Sequence, residues 1–205
     1  MKKSKTSAQW LKAHEDDEFV KRARKEGYRS RASYKLIEID DKYQLMAPGM
    51  TVIDLGASPG GWSQVARRRV GPKGRVIAVD VLPMDPLEGV SFIEGDFTEE
   101  AVLVRLAEVV AGRKIDLVIS DMAPNLSGMK DIDQPRAMYL VELSLDLVDR
   151  MLAPGGGYVA KCFEGEGIDS IRTGLKQRFR RVINFKPKAS RGKSREIYVI
   201  GCGHT

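Results

Sequence analysis

Cysteine and histidine are scarce in this chain, and long apolar runs are missing from it. Its 205 residues include only two cysteines and two histidines. Cys162 and Cys202 sit in separate apolar runs, and His14 and His204 lie near opposite ends, so the sequence offers neither a disulfide framework nor zinc-site spacing. No apolar run reaches membrane-spanning length, and the N-terminus lacks the apolar core of a signal peptide. We therefore expect a cytoplasmic protein with no metal ion and no membrane segment.

The most informative stretch that is present is Val52–Trp62. An apolar run ends at Asp54 and continues through a glycine-rich loop, residues 56–61, before a helical pattern begins. This order predicts a strand, a tight loop and a helix. Glycines let a ligand approach the backbone, and a helix N-terminus offers free N–H groups. We expect a ligand with a carboxylate or phosphate and a ribose here, although a plain strand-to-helix turn would look similar.

An acidic residue closes each of four apolar, β-branched runs: Asp54, Asp80, Asp96 and Asp121. The carboxyl ends of parallel strands meet at one edge of a sheet, where open α/β folds bind their ligands. Asp80 ends the second strand and is placed to accept hydrogen bonds from both hydroxyls of a ribose. Asp96 could accept one from an adenine amino group. Each acid alone could be a cap or turn residue, but the repetition favours a binding edge.

Helical patterns alternate with these strands, which predicts an α/β fold. The helices are expected over residues 16–26, 31–43, 61–70, 98–112, 136–152 and 168–180, and three later strands over 157–163, 181–185 and 196–201. We expect Thr98 to cap the fourth helix. Only a basic loop, residues 186–195, separates the last two strands, so they could pair antiparallel. The predicted architecture is a Rossmann-like sheet of seven strands, parallel except for one near the C-terminus, with helices on both faces.

Charge is distributed unevenly over this single expected domain, residues 1–205. The formal net charge is +6, and a basic N-terminal extension, residues 1–35, carries eleven lysines and arginines against five acids. A second block, residues 172–195, holds ten basic residues and no acid. A charge run usually marks a solvated surface. Two such blocks flanking a nucleotide-type fold favour a nucleic-acid backbone as the partner.

Two lysines and a glutamate stand out from the fold pattern. Lys161 interrupts an apolar strand, where burial is costly unless the amine has a partner. Lys35 lies in a helical run, and Glu196 begins the last strand after the basic loop. Taken alone, Lys35 could be a surface lysine and Glu196 the salt-bridge partner of a neighbouring arginine.

Motifs spread from about Arg24 to the C-terminus carry a family resemblance. They are Tyr28–Lys35 (YRSRASYK), Asp54–Trp62 (DLGASPGGW), Asp121–Asn125 (DMAPN), Lys161–Phe163 (KCF), Lys188–Arg191 (KASR) and Ser194–Glu196 (SRE). On these residues the chain resembles the FtsJ/RrmJ family of S-adenosylmethionine-dependent ribose 2′-O-methyltransferases. Within it, the bacterial branch that acts on large-subunit ribosomal RNA is the most similar.

The resemblance implies the fold of an S-adenosylmethionine-dependent methyltransferase and a set of site residues. The family's catalytic tetrad falls, residue by residue, on Lys35, Asp121, Lys161 and Glu196. Lys161 takes the role of base or hydroxyl-orienting group, while Lys35 and Glu196 position it and the ribose. Asp121 orients the lysines near the transferred methyl group. The cofactor-binding positions are expected at Gly60, Trp62, Asp80, Asp96 and Asp121.

The implied substrate is a uridine ribose in the A loop of large-subunit (23S) ribosomal RNA, on an assembled or nearly assembled large subunit. No obligatory protein partner is expected. Transfer RNA, another RNA, or a non-catalytic role as an RNA-binding ribosome-assembly factor remain alternatives. An NAD-dependent dehydrogenase would share Asp80 but would need neither the lysines nor the basic blocks. For Trp62, packing between helix and sheet is nearly as plausible as contact with the cofactor.

Overall fold

The computed structural model describes residues 16–124, 127–192 and 194–205, in which helices and strands alternate. Six helices, α1 to α6, cover Glu18–Glu26, Ser33–Tyr43, Gly61–Val70, Glu100–Val110, Lys130–Met151 and Ile168–Arg178. Seven strands, β1 to β7, cover Thr51–Leu55, Arg75–Asp80, Val90–Glu94, Ile115–Ser120, Leu152–Phe163, Phe179–Phe185 and Glu196–His204. These counts refer to the described residues.

The strands form one sheet in the order β3-β2-β1-β4-β5-β7-β6. The first five are parallel neighbours, whereas β7 runs antiparallel to both β5 and β6. The predicted mostly parallel sheet with one antiparallel strand is therefore confirmed. The chain winds outward from β1 to β3 and then crosses to β4, on the other side of β1. Ligands of open α/β sheets bind beyond the carboxyl ends of the strands at such a reversal.

Helices cover both faces of the sheet, as expected. Val52 of β1 packs with Leu36 of α2 and Val65 of α3 on one face. Ile53 packs into the cluster formed with α4, α5 and α6 on the other face. Successive side chains of a strand point to opposite faces, so β1 is buried along its whole length. A polar side chain on β1 is consequently enclosed by protein.

The loop between β1 and α3 requires glycine at two positions. Gly56 has a φ of 71°, and a Cβ atom at this position would clash with Met122. Gly60 caps α3 with a φ of 106°, and a Cβ atom there would lie 2.9 Å from Nη1 of Arg29. Left-handed backbone and close neighbours both exclude a side chain, so the loop forms the tight strand-to-helix turn that the sequence predicts.

The N-terminal helices are tied to the basic loop that precedes β7. The side chain of Asp17 caps α1 by accepting a hydrogen bond from the amide of Phe19 at 2.9 Å. Arg31 then bridges the two parts of the chain: its Nε atom lies 3.3 Å from Oδ2 of Asp17, and its Nη2 atom donates to the carbonyl of Ala189 at 2.6 Å. This bridge fixes the basic loop beside α2.

Four predicted helix starts differ from the structure: α1, α2 and α4 begin two residues later, and α5 begins earlier. Thr98 does not cap α4, because its amide and hydroxyl both donate to Oδ1 of Asp96, at 2.9 and 2.7 Å. The helix begins two residues later, with Glu99 in the capping position. Helix α5 starts at Lys130, six residues earlier than predicted, and includes Pro135. Proline removes one backbone hydrogen bond, but Pro135 is exposed, so water can satisfy the carbonyl that loses its donor.

Strand β5 also begins earlier than predicted, at Leu152 rather than Gly157. The predicted helix ends at residue 152 and the predicted strand begins at 157, which leaves the proline- and glycine-rich residues between them as a loop. This segment continues as extended chain beside β4 instead, and the register shifts between Ile115 and Leu117. Such an irregularity lets a strand include extra residues that regular pairing would leave out. The local sequence does not reveal where an irregularity of this kind occurs.

A glycine-to-alanine pair tests the packing around β7. Gly201→Ala would place a Cβ atom 2.6 Å from the buried ring of Phe179, so we expect a loss of about 1–3 kcal/mol in unfolding free energy by overpacking. Gly174→Ala, in the middle of α6, meets only the tip of the Arg178 side chain and should be neutral or stabilising by up to about 1 kcal/mol. Urea denaturation of both variants measures the difference; equal effects would contradict the packing.

Candidate active site

Four ionisable side chains from four elements meet at the carboxyl edge of the sheet. They come from the first turn of α2, the residue after β4, the last part of β5 and the first residue of β7: Lys35, Asp121, Lys161 and Glu196. These are the residues that the family resemblance singled out as a tetrad. The structure brings all four of them together.

The four side chains form two linked ion pairs. Lys161 Nζ donates to Oδ1 of Asp121 at 3.1 Å and to the carbonyl of the same residue at 2.5 Å. Lys35 Nζ lies 2.7 Å from Oε1 of Glu196 and 3.9 Å from Oδ1 of Asp121. Their side chains are only 8–17% exposed. Burying an ammonium group is tolerable here because each has a carboxylate beside it.

Tyr198 is a fifth member of this cluster that the sequence reasoning missed. Its hydroxyl donates to Oδ1 of Asp121 at 2.6 Å and lies 3.4 Å from Oε1 of Glu196. Burial, reinforced by these two negative charges, raises the pKa of Tyr198 well above its usual value, so the phenol remains a donor. A signal was available, because Glu196 and Tyr198 are two residues apart in a strand and therefore share a face.

The basic loop holds Glu196 from the other side. Ser190 Oγ donates to Oε1 of Glu196 at 2.8 Å, and the amide of Glu196 donates to Oγ of Ser194 at 3.1 Å. The antiparallel register places Lys161 opposite Tyr198 and Phe163 opposite Glu196. Strand β7 and the basic loop before it thus place Glu196 beside Lys35 and Tyr198 opposite Lys161.

A cavity of about 460 Å³ lies next to this cluster, at the carboxyl ends of β1, β2 and β4. Asp121 lines it, so the cavity and the ion-pair cluster share one residue. Asp80 and Asp96, two of the predicted cofactor residues, also line it, together with the loop residues Gly56 and Ser58. The volume is in the range of small-molecule sites.

Local hydrogen bonds fix the two other acids of the cavity. Asp80 Oδ2 accepts from the amide of Ser58, and its Oδ1 accepts from the amide of Leu82, both at 2.8 Å. A carboxylate has about four lone-pair positions, so Asp80 can still accept hydrogen bonds from a ligand. Thr98 uses only Oδ1 of Asp96. Both carboxylates are therefore oriented and retain acceptor capacity.

The structure places Gly60 and Trp62 differently from these acids. Neither lines the cavity of about 460 Å³. Trp62 is buried between α2, α3 and the sheet, with its indole N–H donating to the carbonyl of Ala32 at 2.8 Å. It borders a smaller space of about 70 Å³ that also touches Asp121. Gly60 faces Arg29 and the side chains that follow β2. It therefore contributes to the conformation of the loop and does not line the cavity.

Asp54 does not reach the binding edge, which corrects the prediction made for all four strand-end acids. Strand β1 runs one residue further, to Leu55, and Asp54 is buried at 1% exposure. Ser63 Oγ donates to its Oδ2 at 2.6 Å, while Oδ1 has no partner among the described residues. Burial raises the pKa of Asp54 to about 7, the charges of Asp121 and Asp80 add to the increase, and the Ser63 hydroxyl opposes it.

Neither a metal centre nor a membrane span is found in the described part of the chain. Within residues 16–124, 127–192 and 194–205, no group of three or more histidine, cysteine or acidic side chains could hold a metal ion. Over the same ranges, no helix is both long and apolar enough to cross a membrane.

Comparison with known proteins places the chain in a family. The model of the FtsJ-like methyltransferase family matches residues 28–204, which include all four members of the tetrad. The chain belongs to the FtsJ-like methyltransferase family. The family resemblance inferred from the sequence motifs is therefore confirmed.

Relatives match over nearly their whole length. A protein named ribosomal RNA large subunit methyltransferase E from Chromohalobacter salexigens is 59% identical over 200 residues, covering 98% of this chain and 95% of the relative. One of the same name from Pseudomonas aeruginosa is 55% identical, covering 99% and 98%. The crystal structure of a protein from Plasmodium falciparum assigned as a ribosomal RNA methyltransferase superposes with a TM-score of 0.79 at 33% identity, covering 86% of this chain and 98% of that chain.

The raised pKa of Asp54 gives a testable pH dependence. Between the ordinary value of 3.8 and about 7, the folded protein keeps a proton that the unfolded chain has released, so the unfolding free energy should decrease as pH rises through this interval. Asp54→Asn should remove that component. Ser63→Ala, which deletes the hydroxyl that opposes the increase, should extend the decrease to higher pH. Urea denaturation of the ligand-free protein from pH 4 to 8 measures both; identical pH profiles for wild type and Asp54→Asn would contradict the assignment.

Proposed function

We propose that the protein transfers a methyl group from S-adenosylmethionine to the 2′-hydroxyl of a uridine ribose in large-subunit ribosomal RNA. The observation that carries the proposal is the joint position of Asp121, which both lines the cavity and holds Lys161. A methyl donor in the cavity would lie beside a cluster able to handle the proton of a hydroxyl group. The names of the relatives support large-subunit ribosomal RNA as the substrate.

The residues of the cavity suit the proposed cofactor. Asp80 is the last residue of β2 and keeps acceptor positions for the two ribose hydroxyls, as acids at this place do in related folds. Asp96 presents a carboxylate that could accept a hydrogen bond from an adenine amino group. Gly60 and Trp62 act through the shape of the loop and the placement of α3. The acidic lining also favours a ligand of net positive charge, which S-adenosylmethionine has.

The tetrad residues divide the work at the hydroxyl group. Bound S-adenosylmethionine supplies a methyl carbon activated by its sulfonium, and the attacking oxygen must lie in line with it. Lys161 is the proposed base, or the group that orients the hydroxyl. Asp121 fixes the Lys161 amine through two acceptors. Lys35 and Glu196, joined at 2.7 Å, are proposed to position that amine and the ribose.

The basic loop is the proposed RNA contact closest to the tetrad. Lys188 and Arg191 are exposed on it, and the loop is anchored to the helix that carries Lys35: the Lys188 amide donates to Oε2 of Glu38 at 2.8 Å. Phosphate groups along this surface would lie beside the hydroxyl to be methylated. The exposed basic residues of the N-terminal extension on α1, Arg22, Arg24 and Lys25, are proposed as a second contact, although residues 1–15 and Lys193 lie outside the described residues.

The finer parts of the proposal rest on the resemblance to the bacterial large-subunit branch. These are the uridine in the A loop and the assembled or nearly assembled subunit as the substrate particle. A cytoplasmic location agrees with both cysteines being free thiols. A non-catalytic RNA-binding factor is the second candidate, favoured only by the basic surface, since it would not need two buried lysines.

Replacing Lys161 tests its proposed role, and methyl transfer by the wild type separates the enzyme from the non-catalytic alternative. Lys161→Ala should reduce methyl transfer to large-subunit particles by at least about 100-fold, while cofactor affinity stays near wild type, because the proposed role lies in the transition state. Asp80→Ala is the reciprocal variant: it should weaken cofactor binding by about 1–3 kcal/mol. Calorimetry and transfer of labelled methyl groups measure the two effects. Near-normal turnover by Lys161→Ala would rule out the assignment.

Salt dependence tests the basic loop. Log affinity falls with log salt, and removing one interaction between a basic side chain and a phosphate should reduce the steepness of this fall by roughly 0.7–0.9. Lys188→Ala with Arg191→Ala should therefore flatten the slope and weaken RNA binding. The control is Arg113→Ala with Lys114→Ala, which removes the same charge just before β4, at the opposite edge of the sheet. Filter binding to large-subunit particles over a salt series gives the slopes. Equal slopes for the loop variant and the control would mean that the loop is only solvated surface.

A further inference from the structure

The segment between α1 and α2 is fastened to the start of α3. Gln64 holds it at two points: its Oε1 accepts from the amide of Arg29 at 2.8 Å, and its Nε2 donates to the carbonyl of Gly27 at 2.9 Å. Trp62 holds it at a third point, through the carbonyl of Ala32. The segment therefore has a fixed position against the glycine-rich loop and is part of the motif that carries the family resemblance.

Arg29 extends from this segment to the backbone of two different loops. Its Nη1 atom donates to the carbonyls of Pro59 at 3.1 Å and Asp85 at 2.7 Å, and its Nη2 atom donates to the carbonyl of Pro86 at 2.8 Å. None of these three acceptors is a carboxylate. The fixed fork of a guanidinium can satisfy several acceptors at once, so Arg29 joins the two loops to each other.

These two loops form a wall of the cavity. The loop of Pro59 includes Ser58, which lines the cavity and donates its amide to Asp80. The loop of Asp85 and Pro86 begins with Val81 and Leu82, which also line the cavity. A further hydrogen bond, from Ser58 Oγ to the carbonyl of Pro83 at 3.1 Å, joins the loops on the cavity side of Arg29. The separation of the loops sets the width of the cavity at Asp80.

We propose that Arg29 is a positioning residue for the cofactor: its guanidinium holds the loops of residues 56–60 and 81–87 at the separation that the cofactor requires. Arg29 acts through Pro59, Asp85 and Pro86, because the hydrogen bonds of its guanidinium go to these backbone carbonyls rather than to the tetrad. The inference rests on the proposed function, because it takes the cavity as the site of S-adenosylmethionine. It adds a residue outside the strand-end acids to the groups that determine cofactor affinity.

Charge and positioning predict opposite effects of removing Arg29. S-adenosylmethionine carries a net positive charge, so a guanidinium acting as a charge repels it, and neutralising the arginine would tighten binding. If Arg29 acts by holding the loops, binding weakens. Arg29→Lys keeps the charge, but its single ammonium cannot reproduce the planar fork across three carbonyls. Positioning therefore predicts weaker binding for both Arg29→Ala and Arg29→Lys.

The experiment compares wild type, Arg29→Ala and Arg29→Lys by calorimetry with S-adenosylmethionine and by steady-state methylation of large-subunit particles. We expect KM and Kd for the cofactor to rise at least about fivefold in both variants, with kcat and KM for the particles within about twofold of wild type. Arg68→Ala is the matched control: it removes an exposed arginine that packs on Tyr28 of the same segment, 4.4 Å from the ring centre, and should leave all four parameters unchanged.

The outcomes separate this inference from the proposed function. If wild type binds no S-adenosylmethionine, the proposed function fails. If wild type binds it and both Arg29 variants bind it equally well or more tightly, the positioning role is wrong. A rise in KM for the particles alone would make Arg29 an RNA contact and would also overturn the inference. Thermal melting checks that the variants fold. If Arg29→Ala does not fold, the affinity of Arg29→Lys for the cofactor decides between the outcomes.

Discussion

A buried ammonium group needs an anion beside it, and this requirement governs the carboxyl edge of the sheet. Lys161 satisfies it with the carboxylate and the carbonyl of Asp121, and Lys35 with Glu196. Tyr198 lies between the two pairs: its hydroxyl donates to Asp121 and lies 3.4 Å from Oε1 of Glu196. Because β4 ends immediately before Asp121, the position of that residue is set by the central strands. The side chains of α2, β5 and β7 are then arranged around a fixed point.

The winding of the sheet gives Asp121 its second role. Strands β1 and β4 are neighbours, yet the chain leaves them in opposite directions, and this opens a space beyond their carboxyl ends. Asp121 lines that space together with Asp80 and Asp96. A ligand of the cavity and a hydroxyl held at Lys161 would therefore meet at one residue. Glycine at positions 56 and 60 permits the tight turn beside this space, where a side chain would meet its neighbours.

The sequence predicts the parts of this arrangement that depend on local pattern. Apolar runs ending in acids correctly located the strands, and motifs pointed to four residues that the fold brings together. Asp54 shows the limit, because β1 extends one residue past it and turns its side chain into the interior. Arg29 binds partners far along the chain, and a single sequence does not report such contacts. Tyr198 could have been found, because it lies two residues after Glu196 in a strand and shares its face. Helix α5 can include Pro135 because this residue is exposed. Hydrophobic periodicity in the sequence does not predict that exposure.

The central claim is that a methyl group passes to a ribose oxygen beside Lys161, and nucleoside mass spectrometry tests it most directly. Large subunits from cells that lack the protein would be incubated with the purified protein and S-adenosylmethionine carrying a deuterated methyl group. Their RNA would be digested to nucleosides, which identifies the labelled nucleoside, and in parallel to oligonucleotides, which locates it. The account predicts a deuterium label in 2′-O-methyluridine, from one position in the A loop. A label on a nucleobase, or the absence of any label in ribosomal RNA, would contradict it.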